Sequence, residues 1–466
     1  MAGERIDVTV LCRLLDGWAD GDGQLPQRLA DAVAALVAAD HLADGAILPP
    51  QRELAAALGI ARGTVTTAYD LLAAQDCVQA RQGSGSRVRR RGVLTAKGAT
   101  SGRLSSFAGH GHDEIDLSSG ALPGLPGVVG AFARLDPIEL AAEVATDGYH
   151  PAGLPRLREA IAAQYTRDGL DTAPDQILVT SGSQQALWLV AHTLVSAGDE
   201  VVVEDPTYRG GLEAFRDAGA ALLTVPRRVD GLDVCAVEAL LRTRRPRAFY
   251  VQPAAHNPTG TSLSSAQRAA LADVLTGHGV HVIEDTSSAD LVLDGAGFRP
   301  SLAGQLDPRR VVTIGTTSKL LWGGLRVGWV RAAPAVVQTL TRMRTTIDIG
   351  TPVADQLVAA DLIATTADLR RRRTADLVPA LAATEELLAA RRPHWRWVRP
   401  SGGTSLWIDL GDADAVTFVE QARRRGVRMV AGPSFSAFEG QRSHLKLPFW
   451  HPPARLATAL DRITGA

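Results

Sequence analysis

Lys319 stands in the run Thr313-Ile314-Gly315-Thr316-Thr317-Ser318-Lys319-Leu320-Leu321-Trp322, and Arg326 follows after Gly323-Gly324-Leu325. A β-branched, strand-like segment here delivers a lysine among small hydroxyl side chains. An amine held away from water beside other cations loses basicity and becomes a nucleophile toward an aldehyde. Thr316, Ser318 and Arg326 are residue types that hold a phosphate. Pyridoxal 5'-phosphate (PLP) is a phosphorylated aldehyde that needs both a Schiff-base lysine and a phosphate cup. A surface loop also carries Ser-Lys pairs, so the other parts of such a site must come from the rest of the chain.

The elements that would position them recur from Ile115 onward. Gln176–Thr180, Glu200–Glu204, Ala248–Val251 and Val280–Glu284 are short apolar runs separated by Ala/Arg-rich helical stretches. That alternation predicts an α/β unit with a mainly parallel, doubly covered sheet, and after about residue 375 a smaller α+β end. Thr180-Ser181-Gly182-Ser183-Gln184 leaves a strand and opens a helix, whose first N–H groups bind phosphate. Tyr208 follows the strand that ends at Glu204. His256-Asn257-Pro258-Thr259-Gly260 and Glu284-Asp285 close two more. Ligands of open α/β sheets sit at such carboxyl ends.

The first 88 residues read differently. Leu54 and Leu58 lie one helical turn apart, Ala55 is small, and Gly59 suits the left-handed conformation of a sharp turn. Val65 and Ala68 then bury one face of a second helix. This is a helix-turn-helix, with Arg62, Gly63, Thr64 and Thr66 toward the DNA major groove. Val78–Arg81 and Ser86–Val88 flank Gln82-Gly83-Ser84-Gly85, a hairpin that carries Arg81 and suits a wing against the DNA backbone. Residues 89–112 are basic and rich in Gly and Ser without apolar period. They read as a flexible linker spanning roughly 25–30 Å.

The chain has 466 residues, net charge −1, 45% hydrophobic and 21% charged residues. That length implies more than one domain, and any DNA contact must come from a local basic patch. Cys12, Cys77 and Cys235 are too scattered for a disulfide framework or a zinc site, so a reducing cytoplasm is the expectation. The N-terminus has no signal-peptide pattern, and no segment reads as a membrane span. His110, His112, Asp113 and Glu114 sit in or beside the linker without a second ligand cluster, so no metal is expected. The run Arg370–Arg373 reads as a solvated helix face.

Residues 26–88 resemble a GntR-type winged helix through Leu48-Pro49-Pro50-Gln51-Arg52-Glu53-Leu54-Ala55, Arg62-Gly63-Thr64-Val65 and Arg81-Gln82-Gly83-Ser84-Gly85. The resemblance implies DNA contacts at Arg52, Arg62 and Gly83. Residues 115–466 resemble fold-type I aminotransferases. On that resemblance Tyr208 stacks on the PLP ring, Asn257 bonds its phenolic oxygen, Asp285 pairs with its ring nitrogen, and Arg326 binds its phosphate. Tyr149, before His150-Pro151-Ala152-Gly153, matches the tyrosine that reaches a neighbouring subunit's phosphate, which implies a homodimer. Two residues depart from the family. Ser287 stands for the tyrosine that supports the cofactor oxygen. Lys446 stands for the arginine that forks onto a substrate carboxylate, and lysine cannot make that bidentate pair.

Together the two parts resemble MocR-like regulators. That implies a PLP-dependent transcriptional regulator acting on double-stranded operator DNA in the cytoplasm, as a head-to-tail homodimer sensing an amine, an amino acid or PLP itself. The alternative is a working aminotransferase with an appended DNA-binding domain. A third reading is a repressor that responds to cofactor level alone.

Overall fold

The computed structural model describes residues 5–15, 18–19, 24–38, 42, 45–74, 77–81, 85–88, 114–295, 297–298 and 300–464. The chain forms two compact units, Met1–Gly102 and Arg103–Ala466. The sequence assigned to the linker and the histidines of His110–His112 lie outside the described residues, as does Gly83.

In the first unit, helices α1 (Val8–Leu14), α2 (Leu25–Ala38), α3 (Gln51–Leu58) and α4 (Arg62–Ala74) precede a hairpin of β1 (Val78–Arg81) and β2 (Gly85–Val88). Leu11, Leu29, Val33, Leu54, Val65, Ala68 and Leu72 are fully buried and form its core. Gly59 ends α3 at φ 67°, and its N–H bonds back to the last turn. This left-handed cap turns the chain sharply into α4. The hairpin is antiparallel, with Val78 opposite Val88 and Arg81 opposite Gly85. Leu48 N donates to Ser86 O at 2.8 Å, so the segment before α3 extends the hairpin.

The second unit begins with β3 (Ile115–Asp116). Its large sheet contains β4 (Ile177–Thr180), β5 (Glu200–Asp205), β6 (Ala221–Arg228), β7 (Gly231–Leu232), β8 (Ala248–Val251), β9 (His281–Asp285), β10 (Val311–Thr316) and β11 (Gly328–Arg331). Their order is β4-β11-β10-β9-β8-β5-β6-β7. Strands β10, β9, β8, β5 and β6 are parallel neighbours. Strand β11 is antiparallel to both β10 and β4, so β4 runs with the parallel set. Every residue of β4 (ILVT), β8 (AFYV) and β10 (VVTIGT) is buried, on both faces, because helices cover both sides.

A smaller sheet of β12 (Arg396–Trp397), β13 (Ser405–Asp409), β15 (Val430–Ala431) and β16 (His444–Pro448) is ordered β12-β13-β16-β15. The helix Thr366–Arg391 packs on it, together with Ala415–Arg424 and Pro453–Thr464. The expectation that this subdomain is built only after residue 375 needs correction. Ile115–Asp116 pairs in parallel with β14 (Val427–Arg428), and Ile115, Leu117 and Leu122 join the smaller core. Among the described residues, no helix is long and apolar enough to cross a membrane.

Candidate active site and nucleic-acid interface

The candidate active-site residues gather where the parallel strands end. Ser183 and Gln184 follow β4, Tyr208 follows β5, Asn257 follows β8, Asp285 ends β9, and Ser318 and Lys319 follow β10. All of these line one cavity of about 300 Å³, joined by Ser287, Arg326 and Lys446. Lys319 lies in a single π-helical turn, Ser318–Trp322, directly after β10. Such turns widen the helix locally and aim a side chain differently from an α-turn. The turn is held from behind: Arg373 Nε donates to Leu320 O at 2.7 Å, and Nη2 donates to Leu321 O at 2.9 Å and to Pro123 O at 2.7 Å.

Lys319 Nζ donates to the Gly120 carbonyl at 3.1 Å. Burial pushes its amine down to about 8; Asp285 opposes the shift and Arg209 adds to it. The amine is therefore poised as a nucleophile near neutrality. Lys446 shares the cavity. Burial, then Lys319, then Arg209, press it well below the usual lysine range. Gly120 has no room for a side chain, since a Cβ would stand 2.9 Å from Lys446 Nζ and from Thr404 Oγ1.

Asp285 is buried; Oδ2 accepts from Tyr250 Oη at 2.7 Å and Oδ1 from Ser287 N at 2.9 Å. Asn257 Oδ1 and Ser287 Oγ are buried, line the cavity and have no partner within the protein. Buried polar atoms are normally satisfied, so these two await a ligand atom. Gln252 steadies Asn257 by accepting from its N–H at 3.2 Å and donating to its carbonyl at 3.3 Å. At the other end, Gly182 (φ 86°) opens the helix Ser183–Leu194. Arg326 Nη2 donates to Ser181 O at 2.6 Å beside it, with Arg326 itself at φ 49°. A helix start beside a guanidinium forms an anion site. Tyr208 Oη donates to Gln184 Oε1 at 3.0 Å, and burial raises its phenol to about 12. A buried amine, a buried carboxylate, two unsatisfied polar atoms and an anion site fit an aromatic aldehyde phosphate.

Two candidates fall elsewhere. Thr316 is buried with Oγ1 against Ser318 Oγ at 2.9 Å and Val327 O at 3.0 Å, so it braces the turn from behind. Tyr149 is 63% exposed and lies outside the cavity of its own chain. The sequence reading missed Arg209, Gly120, Tyr250, Gln252 and Phe435. The one sequence signal for Arg209 was its place directly after Tyr208, where it opens the helix Arg209–Asp217. Tyr250 sits mid-strand in an apolar run and is indistinguishable there from core. The Arg370–Arg373 run is also corrected. Arg370 pairs with Asp168 and Asp290 at 2.6 and 2.7 Å, and Arg373 is buried, because those positions of the helix face the large subdomain.

In the first unit, Arg52 on α3 and Arg62 at the start of α4 are exposed, and Thr64 is half-buried. Thr66 Oγ1 lies 3.0 Å from Gln51 Oε1 and 3.1 Å from Arg62 O, linking α4 to α3. Tyr69 Oη donates to Pro49 O at 2.9 Å and ties α4 to the segment before α3. Arg81 ends β1.

The second unit is thus a lysine-centred α/β fold of the type used by PLP-dependent transferases, and the first is a winged helix. Residues 112–463 match aminotransferase class I and II, and residues 25–88 match the gntR family of bacterial regulatory proteins. The chain belongs to the class I and II aminotransferase family and, with its GntR-type winged helix, to the MocR-like regulators. The probable rhizopine catabolism regulatory protein MocR of Rhizobium meliloti is 31% identical over 70% of this chain and 68% of its own length. YdcR of Escherichia coli, an uncharacterized HTH-type transcriptional regulator, is 27% identical over 89% of this chain and 92% of its own. Among solved structures, the α-aminoadipate aminotransferase LysN of Thermus thermophilus, complexed with N-(5'-phosphopyridoxyl)-L-leucine, is 28% identical. It has a TM-score of 0.68 and covers 76% of this chain and 91% of its own.

Proposed function

We propose that this protein is a PLP-dependent, DNA-binding transcriptional regulator whose aminotransferase-like unit senses an amino compound or PLP itself. The observation that carries the reading is the shared cavity of Lys319, Asp285, Asn257 and the Ser183 helix start in a chain that also holds a winged helix. Bound PLP would supply an aldehyde carbon for a reversible bond to an amine and an electron-poor ring. Lys319, a buried amine of lowered basicity, would hold the cofactor and could accept or return a proton at Nζ. Asp285, fixed by Tyr250, holds positive charge at the ring nitrogen. Asn257 and Ser287, whose buried oxygens have no partner within the protein, would hold a ring oxygen, and Tyr208 would hold the ring. Ser183, Gln184, Ser318 and Arg326 hold the phosphate. Lys446 meets the effector.

On the DNA side, Arg62, Thr64 and Thr66 of α4 enter the major groove, Arg52 supports them, and Arg81 and Gly83 of the wing meet the backbone. Residues 1–88 act on DNA, 89–112 link, and 113–466 sense. The regulator works in the cytoplasm as a head-to-tail homodimer, in which Tyr149 completes the neighbour's phosphate site. Val129, Ile138 and Val144 support a copy-to-copy contact, since they are 74–80% exposed on the helices Pro126–Ala133 and Pro137–Val144.

A second reading, an active aminotransferase, is favoured by the complete lysine–aspartate–asparagine set. Lys446 and Ser287 stand against efficient turnover. The visible absorption spectrum with PLP, followed while amines and amino acids are added, separates these readings. A cofactor band that shifts and persists supports a sensor, and collapse to the pyridoxamine form establishes transamination. No band at all sinks the PLP reading. Arg62→Ala should weaken operator binding about tenfold or more with that band unchanged; unaltered affinity removes Arg62 from the interface.

A further inference from the structure

The smaller sheet offers one face to two cavities. His444 and Lys446 alternate on β16 and so share a face. Register sets Lys446 opposite Trp407, His444 opposite Asp409, and Asp409 opposite Arg396. Lys446 lines the cavity of Lys319. Trp407, His444, Asp409 and Arg396 instead line a second cavity, of about 630 Å³, between the two subdomains of this unit. Neither Lys319 nor any other residue assigned to the cofactor lines it.

Its floor is flat and aromatic. The Trp407 and His444 rings stack with centroids 5.3 Å apart and planes 17° from parallel. Burial pushes His444 below its ordinary value, with Asp409 opposing, so the ring is neutral at pH 7. Val398 and Val229 add apolar surface that the core does not use, at 42% and 69% exposure. Charges of both signs surround this floor: Arg396 is cationic, Asp230 and Asp409 anionic, and Arg228 is cationic but held by Asp233 at 2.9 Å, while Arg227 behind it is buried against Glu204. An aromatic floor ringed by charged and polar side chains has the elements that orient a small zwitterionic molecule. The wall toward the first cavity is thin. Trp407 meets Phe435 edge-to-face at 5.5 Å, and Phe435 lines the Lys319 cavity, 5.7 Å from Lys446 Nζ.

We propose that this second cavity binds a free aromatic amino acid, its ring on the Trp407–His444 ledge, its carboxylate toward Arg228 and Arg396, and its ammonium toward Asp230 and Asp409. Occupancy is passed through Trp407 and Phe435 to Lys446, so the site adjusts the cofactor cavity without entering it. The assignment does not depend on the cofactor reading.

The test is calorimetric titration of L-phenylalanine into full-length Lys319→Ala protein, with tryptophan emission followed in parallel. We expect one equivalent per chain and a change in emission. L-Alanine, which lacks the ring, and 3-phenylpropionate, which lacks the ammonium, should each bind about tenfold more weakly or worse. Val398→Glu, at an exposed position, and His444→Ala should each weaken L-phenylalanine at least tenfold. Absence of heat and emission change overturns the proposal. So does binding that both variants leave unaltered, which would place the ligand in the Lys319 cavity. In the otherwise unmodified chain, Val398→Glu should leave the PLP absorption band in place, which separates loss of this site from failure of the cofactor reading.

Discussion

At the scale of single residues, burial of Lys319 sets its chemistry. An amine lowered to about 8 is mostly protonated at pH 7 and mostly free at pH 9. The rate of cofactor attachment, read from the visible band after PLP is added, should therefore rise with pH up to about 8 and level off above it. A profile still climbing steeply beyond pH 9 would mean an ordinary lysine. Lys446 is a compact amine pressed toward neutrality where a guanidinium would hold a carboxylate in two bonds. Lys446→Arg should tighten α-amino acid binding by about tenfold or more, read as a lower concentration needed to shift the band. Equal affinity would mean that the effector carboxylate does not reach this position.

Among the elements, the π-turn that carries Lys319 is held by a side chain far away in sequence. Arg373 reaches three backbone carbonyls, those of Leu320, Leu321 and Pro123. Arg373→Met removes the side-chain donor from the Leu320 and Pro123 carbonyls, while Leu321 O keeps Leu125 N at 3.1 Å, and should cost about 2–4 kcal/mol of stability, measured by thermal or denaturant unfolding. Because the turn itself loosens, the PLP band should also weaken at temperatures where the variant is still folded. A variant with lowered stability but normal cofactor affinity would confine Arg373 to packing. In the winged helix, Gly59 has the corresponding role for α4. Its left-handed cap sets the angle at which Arg62 leaves the turn, and Gly59→Ala should lower the stability of that unit by about 1 kcal/mol.

For the whole molecule, Tyr149 lies outside its own cavity, and apolar side chains stand exposed on the two helices before it. If a neighbouring copy covers them, Ile138→Glu should convert a dimer to monomers in sedimentation and weaken PLP binding in the same variant. Dissociation with full cofactor affinity would mean that each chain holds PLP alone. Much of this organisation was legible in the sequence because local rules apply to it. The runs read as strands at Gln176–Thr180, Glu200–Glu204, Ala248–Val251 and Val280–Glu284 match β4, β5, β8 and β9 to within one residue at each end, since a strand buried on both faces must be a short apolar run. Gly59 marked the helix turn because only a left-handed residue allows it. Lys319, Asn257, Asp285 and Ser183 were visible as polar residues at strand ends. The sequence by itself thus determined two units, their fold classes and the residues able to do chemistry. Tertiary structure alone decided that these residues share one cavity, that Gly120 and Arg209 surround the lysine, that Arg373 is a buried brace, and that Ile115 belongs to the smaller core. Each of these depends on contacts between segments far apart in sequence, and neither composition nor periodicity encodes which distant carbonyl or strand a side chain will meet.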